Sequence, residues 1–241
     1  MNRFPLWSTT RQILHFVYPP CCLVCRNTRA RDRVVCRACA ENMEALQWSP
    51  EWSRGFLSHH SLEDVLDAVF IAFEYRPGTS VPTLVYDLKY RGLTIVGPWL
   101  GRRVGGRLAR TSLLEREPVL VPVPLHVRKK RERGYNQSFL ICRGMSEVTS
   151  LRVDEGLIFR NRYTRSQAAE QLNAAERRRN VKDAFSLHPG ASVPPSVALV
   201  DDIITTGSTI GECARVLKEA GVKWVGALAV ASPLGGDHAG V

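Results

Sequence analysis

Apolar residues fall into short runs separated by polar and glycine-bearing turns, most plainly in the last third of the chain. VALV at 197–200 is a continuous apolar run, as expected of a strand buried on both faces of a parallel sheet. After a tight polar turn, Ile210, Cys213, Ala214 and Leu217 recur at helical spacing and predict a helix over 208–220. Gly221 suits the position just past a helix end, where a left-handed backbone is needed. KWVGALAV at 223–230 predicts the returning strand. Strand, turn, helix, strand is a βαβ unit, which argues for an α/β fold with a parallel sheet flanked by helices.

Upstream, VLDAVFIAFEY at 65–75 predicts a strand with Val69, Ile71 and Phe73 alternating onto one face. Helices are expected over 81–90 and 98–114; in the second, Leu100, Val104 and Leu108 repeat every fourth residue. VLVPV at 119–123 predicts a short strand, followed by a basic loop at 125–135 and a helix near 136–149. Residues 160–182 are polar and Arg-rich. Leu6, Ile13, Leu14 and Val17 predict a short amphipathic helix over 5–18, stopped by Pro19-Pro20. The expected organisation is an N-terminal helix and cysteine-rich module at 1–50, a polar linker at 51–64, a main domain at 65–233 and a flexible tail at 234–241.

With 241 residues, 44% of them hydrophobic and 23% charged, the chain is long and apolar enough to bury a core. Disordered and fibrous classes are excluded. No apolar run approaches the roughly 18 residues of a membrane span, so an integral membrane protein is not expected. The net charge of +10 is concentrated: residues 85–185 carry 21 basic and 10 acidic groups, while the flanking stretches are near neutral. Such a field suits a polyanion, whether phosphate, pyrophosphate or nucleic acid; it also suits a solvated surface in a chain with 27 Arg and 6 Lys. The N-terminus shows no signal-peptide pattern, which points to the cytoplasm, including the inner face of its membrane.

A reducing compartment makes metal binding the first reading of clustered cysteines. Cys22 and Cys25 form one knuckle and Cys36 and Cys39 a second, separated by ten residues. Four thiolates at this spacing predict a structural zinc ribbon, with redox chemistry or idle thiols as the other options. Cys21 directly precedes the first knuckle and competes with Cys22 for the site. Cys142 and Cys213 lie on expected helices and read as small core residues.

The most informative stretch is VALVDDIITTGST at 197–209. An apolar strand delivers Asp201 and Asp202 at its C-terminal end, where α/β folds bind ligands. Thr205, Thr206, Gly207, Ser208 and Thr209 follow as the helix begins, giving small residues, hydroxyls and backbone N–H groups to wrap an anion. Carboxylates accept from sugar hydroxyls and repel phosphate, so the acids suit a ribose and the turn its 5′-phosphate. These thirteen residues resemble, position by position, the phosphoribosyl pyrophosphate (PRPP) motif of type I phosphoribosyltransferases.

Zinc ribbon and PRPP motif together make the chain similar to the ComF family of competence-associated, phosphoribosyltransferase-like proteins, including its GntX branch. LVYDLKYRG (84–92), VPVPLHVRKKRERGYNQS (121–138) and RYTRSQAAEQLNAAERRRNVKDAF (162–185) carry the same resemblance. It implies a type I phosphoribosyltransferase-like domain with Mg²⁺ and PRPP as ligands. Asp201 and Asp202 would be the catalytic pair, holding the ribose partly through Mg²⁺. By position after a strand, Arg128, Lys129, Lys130, Arg131 and Arg133 face an incoming anion, with Gly134, Asn136 and Gln137 adding neutral donors. The resemblance makes this the pyrophosphate loop. Residues 160–167, including Arg162, Tyr163, Thr164 and Arg165, resemble the mobile hood of glutamine-PRPP amidotransferases, a lid over the reacting sugar. Three functions follow as expectations. The first is a competence factor acting on imported single-stranded DNA, with a translocating helicase or inner-membrane uptake complex as partner. The second is a phosphoribosyltransferase of unidentified acceptor, and the third a PRPP-sensing adaptor.

Overall fold

A computed structural model describes residues 21–27, 34–162 and 181–233. The expected helix at 5–18, the lid residues Tyr163, Thr164 and Arg165, and the tail from 234 lie outside the described residues. Four parallel strands form the main sheet: β1 (Ala68–Glu74), β2 (Val119–Pro122), β5 (Ser196–Ile203) and β6 (Trp224–Ser232), in the order β1-β6-β5-β2. The predicted βαβ unit is its centre, with β5 and β6 paired from Ser196↔Trp224 to Ile203↔Ala231 and joined by α7 (Ser208–Glu219). Gly221 takes the expected left-handed backbone, with φ +90°.

Because side chains alternate across a strand, each strand feeds two cores. Phe70, Ala72, Leu120, Ala198, Val200, Leu228 and Val230 point to one face, where α3 (Ser80–Tyr90), α4 (Val96–Leu108) and α6 (Gln137–Thr149) cover them. Val69, Ile71, Val121, Val197, Leu199, Ala227 and Ala229 point to the other, under α7 and α2 (Pro50–His59). Helix α2 occupies the stretch expected as a linker. Its Phe56 and Leu57 are buried, and Ser49 caps it by accepting from Trp52 N at 3.1 Å. The expected helix at 98–114 is shorter, ending at Leu108 before a separate 3₁₀ turn at Ser112–Arg116.

Both sheet edges are covered. Along β1, Leu46 N donates to Ala72 O, Glu74 N to Glu44 O, and Trp48 Nε1 to Val69 O. Ser53 Oγ of α2 accepts from Val69 N at 2.9 Å. Along β2, Leu120 exchanges hydrogen bonds with the backbone of Arg152 and Asp154. Pairing the outer N–H and C=O groups removes the template an open edge would present.

Helices α4 and α6 meet along a glycine seam. A Cβ built on Gly101 would lie 2.1 Å from Ile141 O, and one on Gly144 2.1 Å from Pro98 O. Only bare backbone permits that approach. Two further elements, α5 (Val127–Arg133) and the antiparallel pair β3 (Ile158–Arg160) and β4 (Phe185–Leu187), stand at the C-terminal end of the sheet. Helix α5 stands where the sequence predicts a basic loop, and no local periodicity marks the β3–β4 pair. A third short helix, α1 (Arg37–Glu41), belongs to the cysteine module.

Candidate functional site

The cysteine module is built into the main core. Cys22, Val34, Val35, Cys36 and Met43 share a cluster with Phe70 and Leu84, and Ser80 Oγ at the start of α3 donates to Cys39 O at 2.7 Å. The Sγ atoms of Cys22, Cys25, Cys36 and Cys39 all lie within 4.8 Å of one another, with Cys25 and Cys36 3.7 Å apart. A tetrahedron with Zn–S bonds of about 2.3 Å has sulfurs about 3.8 Å apart, so the cluster fits zinc. Its electrostatics fit too. Burial opposes charge on Cys22, but N–H groups of Cys36, Cys25 and Val24 hold its thiol at about 6. Burial and the neighbouring thiols push Cys39 up to about 12. A divalent cation removes that conflict by stabilising all four thiolates. Cys21 is exposed and outside the cluster, which settles the choice between it and Cys22.

Above the C-terminal ends of the strands lies a cleft of about 470 Å³. Its floor is the end of β5. Asp202 is buried, its Oδ2 2.7 Å from Lys89 Nζ of α3. Ser138 Oγ of α6 donates to Asp201 Oδ1 at 3.1 Å, and Asp202 N donates to the same oxygen at 2.9 Å. Burial, reinforced by the charge of Asp202, raises the Asp201 carboxyl to about 7. Burial works against the Lys89 ammonium, yet Asp202 and Asp201 hold it above its ordinary range. The pair of acids is therefore balanced by one cation held within the fold.

One wall is the turn into α7. Thr205, Gly207, Ser208 and Thr209 line the cleft, while Thr206 Oγ1 lies 2.8 Å from Ser208 Oγ. Gly207 adopts φ +69°, and a Cβ there would meet Leu62 Cδ1 at 2.5 Å. Leu62, just beyond α2, thus supports the turn from behind. The first N–H groups of a helix have no intrahelical partner, and together with the dipole they favour an anion.

A cationic wall is formed by Lys129, Arg133 and Arg160, with Gln137 and Lys89. Burial, then the charges of Arg160, Arg133 and Lys89, lowers the Lys129 ammonium below its usual range. Mutual repulsion among these groups is relieved by a bound polyanion. Other members of the expected basic loop do different work. Arg128 pairs with Glu132 at 2.9 Å and Lys130 with Glu155 at 2.7 Å, both on the surface. Arg131 is exposed outside the cleft lining. Gly134 ends α5 with φ +83°. Asn136 is buried as the α6 cap, accepting from Ser138 N at 3.0 Å and donating to Val123 O at 3.1 Å. Arg162 donates to Lys182 O at 2.7 Å, joining the two described ends that flank residues 163–180.

Lys89, Ser138, Arg160 and the exposed Tyr86 join the cleft or its acids without being ligand-binding candidates of the sequence, and the exposed Tyr90 lines the cleft beside them. Lys89, Tyr86 and Tyr90 lie inside the family-like stretch 84–92 and Arg160 opens the lid-like stretch, so a signal existed.

A family model described as a double zinc ribbon domain matches residues 13–50. The DNA utilization protein YhgH of Escherichia coli is 31% identical over 215 residues, 85% of this chain and 86% of that protein. Competence protein F of Haemophilus influenzae is 38% identical over 116 residues, 47% of this chain; the match spans half of that protein. Competence protein ComFC of Streptococcus pneumoniae is 30% identical over 128 residues, 53% of this chain and 54% of that protein. Among the described residues no helix is long and apolar enough to cross a membrane. On the near full-length match to YhgH, and with the cysteine cluster and parallel sheet in place, the chain belongs to the ComF family of proteins.

Proposed function

We propose that the cleft binds a phosphoribosyl ligand of the PRPP class together with Mg²⁺, and that the protein serves natural competence, in the handling of imported single-stranded DNA. The observation that carries the reading is the convergence, in one cleft, of an acid pair, a helix N-terminal turn and a cationic wall drawn from separate parts of the chain. The Thr205–Thr209 turn would take the 5′-phosphate, Asp201 and Asp202 the ribose hydroxyls with Mg²⁺, and Lys129, Arg133 and Arg160 the pyrophosphate. Mg²⁺ would supply charge neutralisation of the pyrophosphate. The chain's own part is to orient the sugar and to stabilise negative charge on the departing group. The role in DNA handling is supported by the likeness to the DNA utilization protein YhgH and to competence proteins F and ComFC.

A second reading, transfer of the phosphoribosyl group to an acceptor, is favoured by Lys129, Arg133 and Arg160 in the cleft lining, which would stabilise the charge of a departing pyrophosphate. Pyrophosphate exchange into PRPP separates the two. Exchange dependent on Asp201 supports an enzyme; Mg²⁺-PRPP binding without exchange supports a sensor within DNA uptake.

A further inference from the structure

Leu62 lies in the turn between α2 and β1, buried and with its backbone fixed from both sides. Its N–H donates to Leu57 O at 2.9 Å, and its C=O accepts from Leu66 N at 2.9 Å and Val65 N at 3.1 Å. Each of its methyl groups meets a different glycine. A Cβ on Gly207 would lie 2.5 Å from Leu62 Cδ1, and one on Gly211 2.6 Å from Leu62 Cδ2. Outside its own helix, Cδ2 is the only atom among the described residues that the Gly211 Cβ would meet within 4 Å. The two glycines bracket the first turn of α7, where Gly211 N donates to Gly207 O at 2.7 Å. Gly207 lines the cleft and Leu62 does not, so the side chain fills a hollow on the far side of the turn.

Glycine loses more conformational freedom than any other residue when its backbone is ordered. A turn with glycines at 207 and 211 must be ordered by its ligand, at a cost to affinity, unless the fold orders it first. We propose that Leu62 is a positioning residue for the anion turn. Seated on Gly207 and Gly211, its side chain holds the first N–H groups of α7 toward the cleft before a phosphate arrives. Because one methyl serves each glycine, displacing either methyl unseats the other. Helix α2, which leads into Leu62, is itself tied to β1 by the hydrogen bond from Val69 N to Ser53 Oγ, so the turn takes its position from the sheet. The inference rests on the reading of the cleft as a phosphoribosyl site and adds a residue, outside the cleft, on which phosphate affinity depends.

Calorimetric titration of ribose 5-phosphate into the full chain tests this, with thermal melts showing that each variant is folded. Leu62→Ala should lose about tenfold in affinity, the scale set by ordering the backbone of one residue. Leu62→Met, which refills the space, should stay within about twofold of wild type. Gly211→Ala suits a helix on propensity alone, yet its methyl meets Leu62 Cδ2. It should weaken binding in the wild-type background and cost nothing further in Leu62→Ala/Gly211→Ala. Hydrogen exchange without ligand gives a second readout: the Gly211 amide should exchange faster in Leu62→Ala, while amides of β5 and β6 stay protected. Wild-type affinity in Leu62→Ala, additive losses from the two substitutions, or unchanged exchange at Gly211 overturns the role of Leu62. Should Leu62→Ala fail to fold, Gly211→Ala decides, and wild-type affinity in that variant overturns it as well. Wild-type protein that binds neither ribose 5-phosphate nor Mg²⁺-PRPP, with Gly211 exchange still accelerated in Leu62→Ala, would instead overturn the phosphoribosyl reading alone.

Discussion

Lys89 Nζ stands 2.7 Å from Asp202 Oδ2, joining a helix on one face of the sheet to the end of β5, one of its two central strands. The Asp202 side chain is 4% exposed and the Lys89 side chain 21%. Removing the cation leaves a buried carboxylate without its countercharge. Lys89→Ala should therefore cost about 3–5 kcal/mol in urea denaturation. Lys89→Met/Asp202→Leu should recover most of that loss, and a single variant as stable as wild type would show that the pair carries no weight.

Asp201 gives the stability a pH signature. Its carboxyl is raised to about 7, from about 3.9 in an unfolded chain, by burial and then by Asp202. A raised acid pKa means that the folded state holds its proton longer than the unfolded one. Its contribution is full below about pH 4 and is lost as pH rises toward 7. Asp201→Asn should remove this loss, so the variant should gain stability relative to wild type on going from pH 5 to pH 8. An equal difference at both pH values would contradict it.

The zinc site predicts one bound zinc per chain, retained in Cys21→Ser and lost in Cys36→Ser. Because Cys22, Cys36, Val34 and Met43 belong to the core cluster over the sheet, a strong chelator should lower the melting temperature of the whole protein. Metal analysis and thermal melts with and without chelator read both effects.

The glycine seam sorts positions in α4 and α6. Gly101→Ala forces a Cβ into Ile141 O, and Gly144→Ala forces one into Pro98 O, so each should destabilise by several kcal/mol. Gly106 has no atom within 4 Å of its built Cβ, and Gly106→Ala should be neutral or stabilising by about 1 kcal/mol. Chemical denaturation of the three variants checks the contrast.

These features differ in how far the chain announces them. The β5–α7–β6 unit is legible because a strand buried on both faces must be apolar throughout, and Gly221 marks the helix end. The cysteine cluster is legible because ligand spacing is local. Helix α2 is not, since its stretch is rich in Ser, Gly and His, and its role rests on Phe56 and Leu57 meeting strands far along the chain. The β3–β4 pair joins Ile158 to Leu187 across 29 positions, beyond any local periodicity. At the cleft, Asp201, Asp202 and the 205–209 turn stand out as a contiguous motif. Lys89 and Ser138 do not, because each becomes part of the site only when folding brings its helix to β5. Of the basic run at 128–133, only Lys129 and Arg133 reach the cleft; helical geometry turns the others to surface carboxylates or solvent.

We propose that Asp201, Asp202 and the α7 turn form a Mg²⁺-PRPP site. Isothermal titration of Mg²⁺-PRPP into wild type and Asp201→Asn/Asp202→Asn, with thermal melts confirming that the variant is folded, tests it most directly. Saturable one-to-one binding by wild type, weakened at least about tenfold in the folded double variant, is the predicted result, at a cost of about 1.4 kcal/mol or more. Equal affinity in the two proteins, or no binding by wild type, would contradict it.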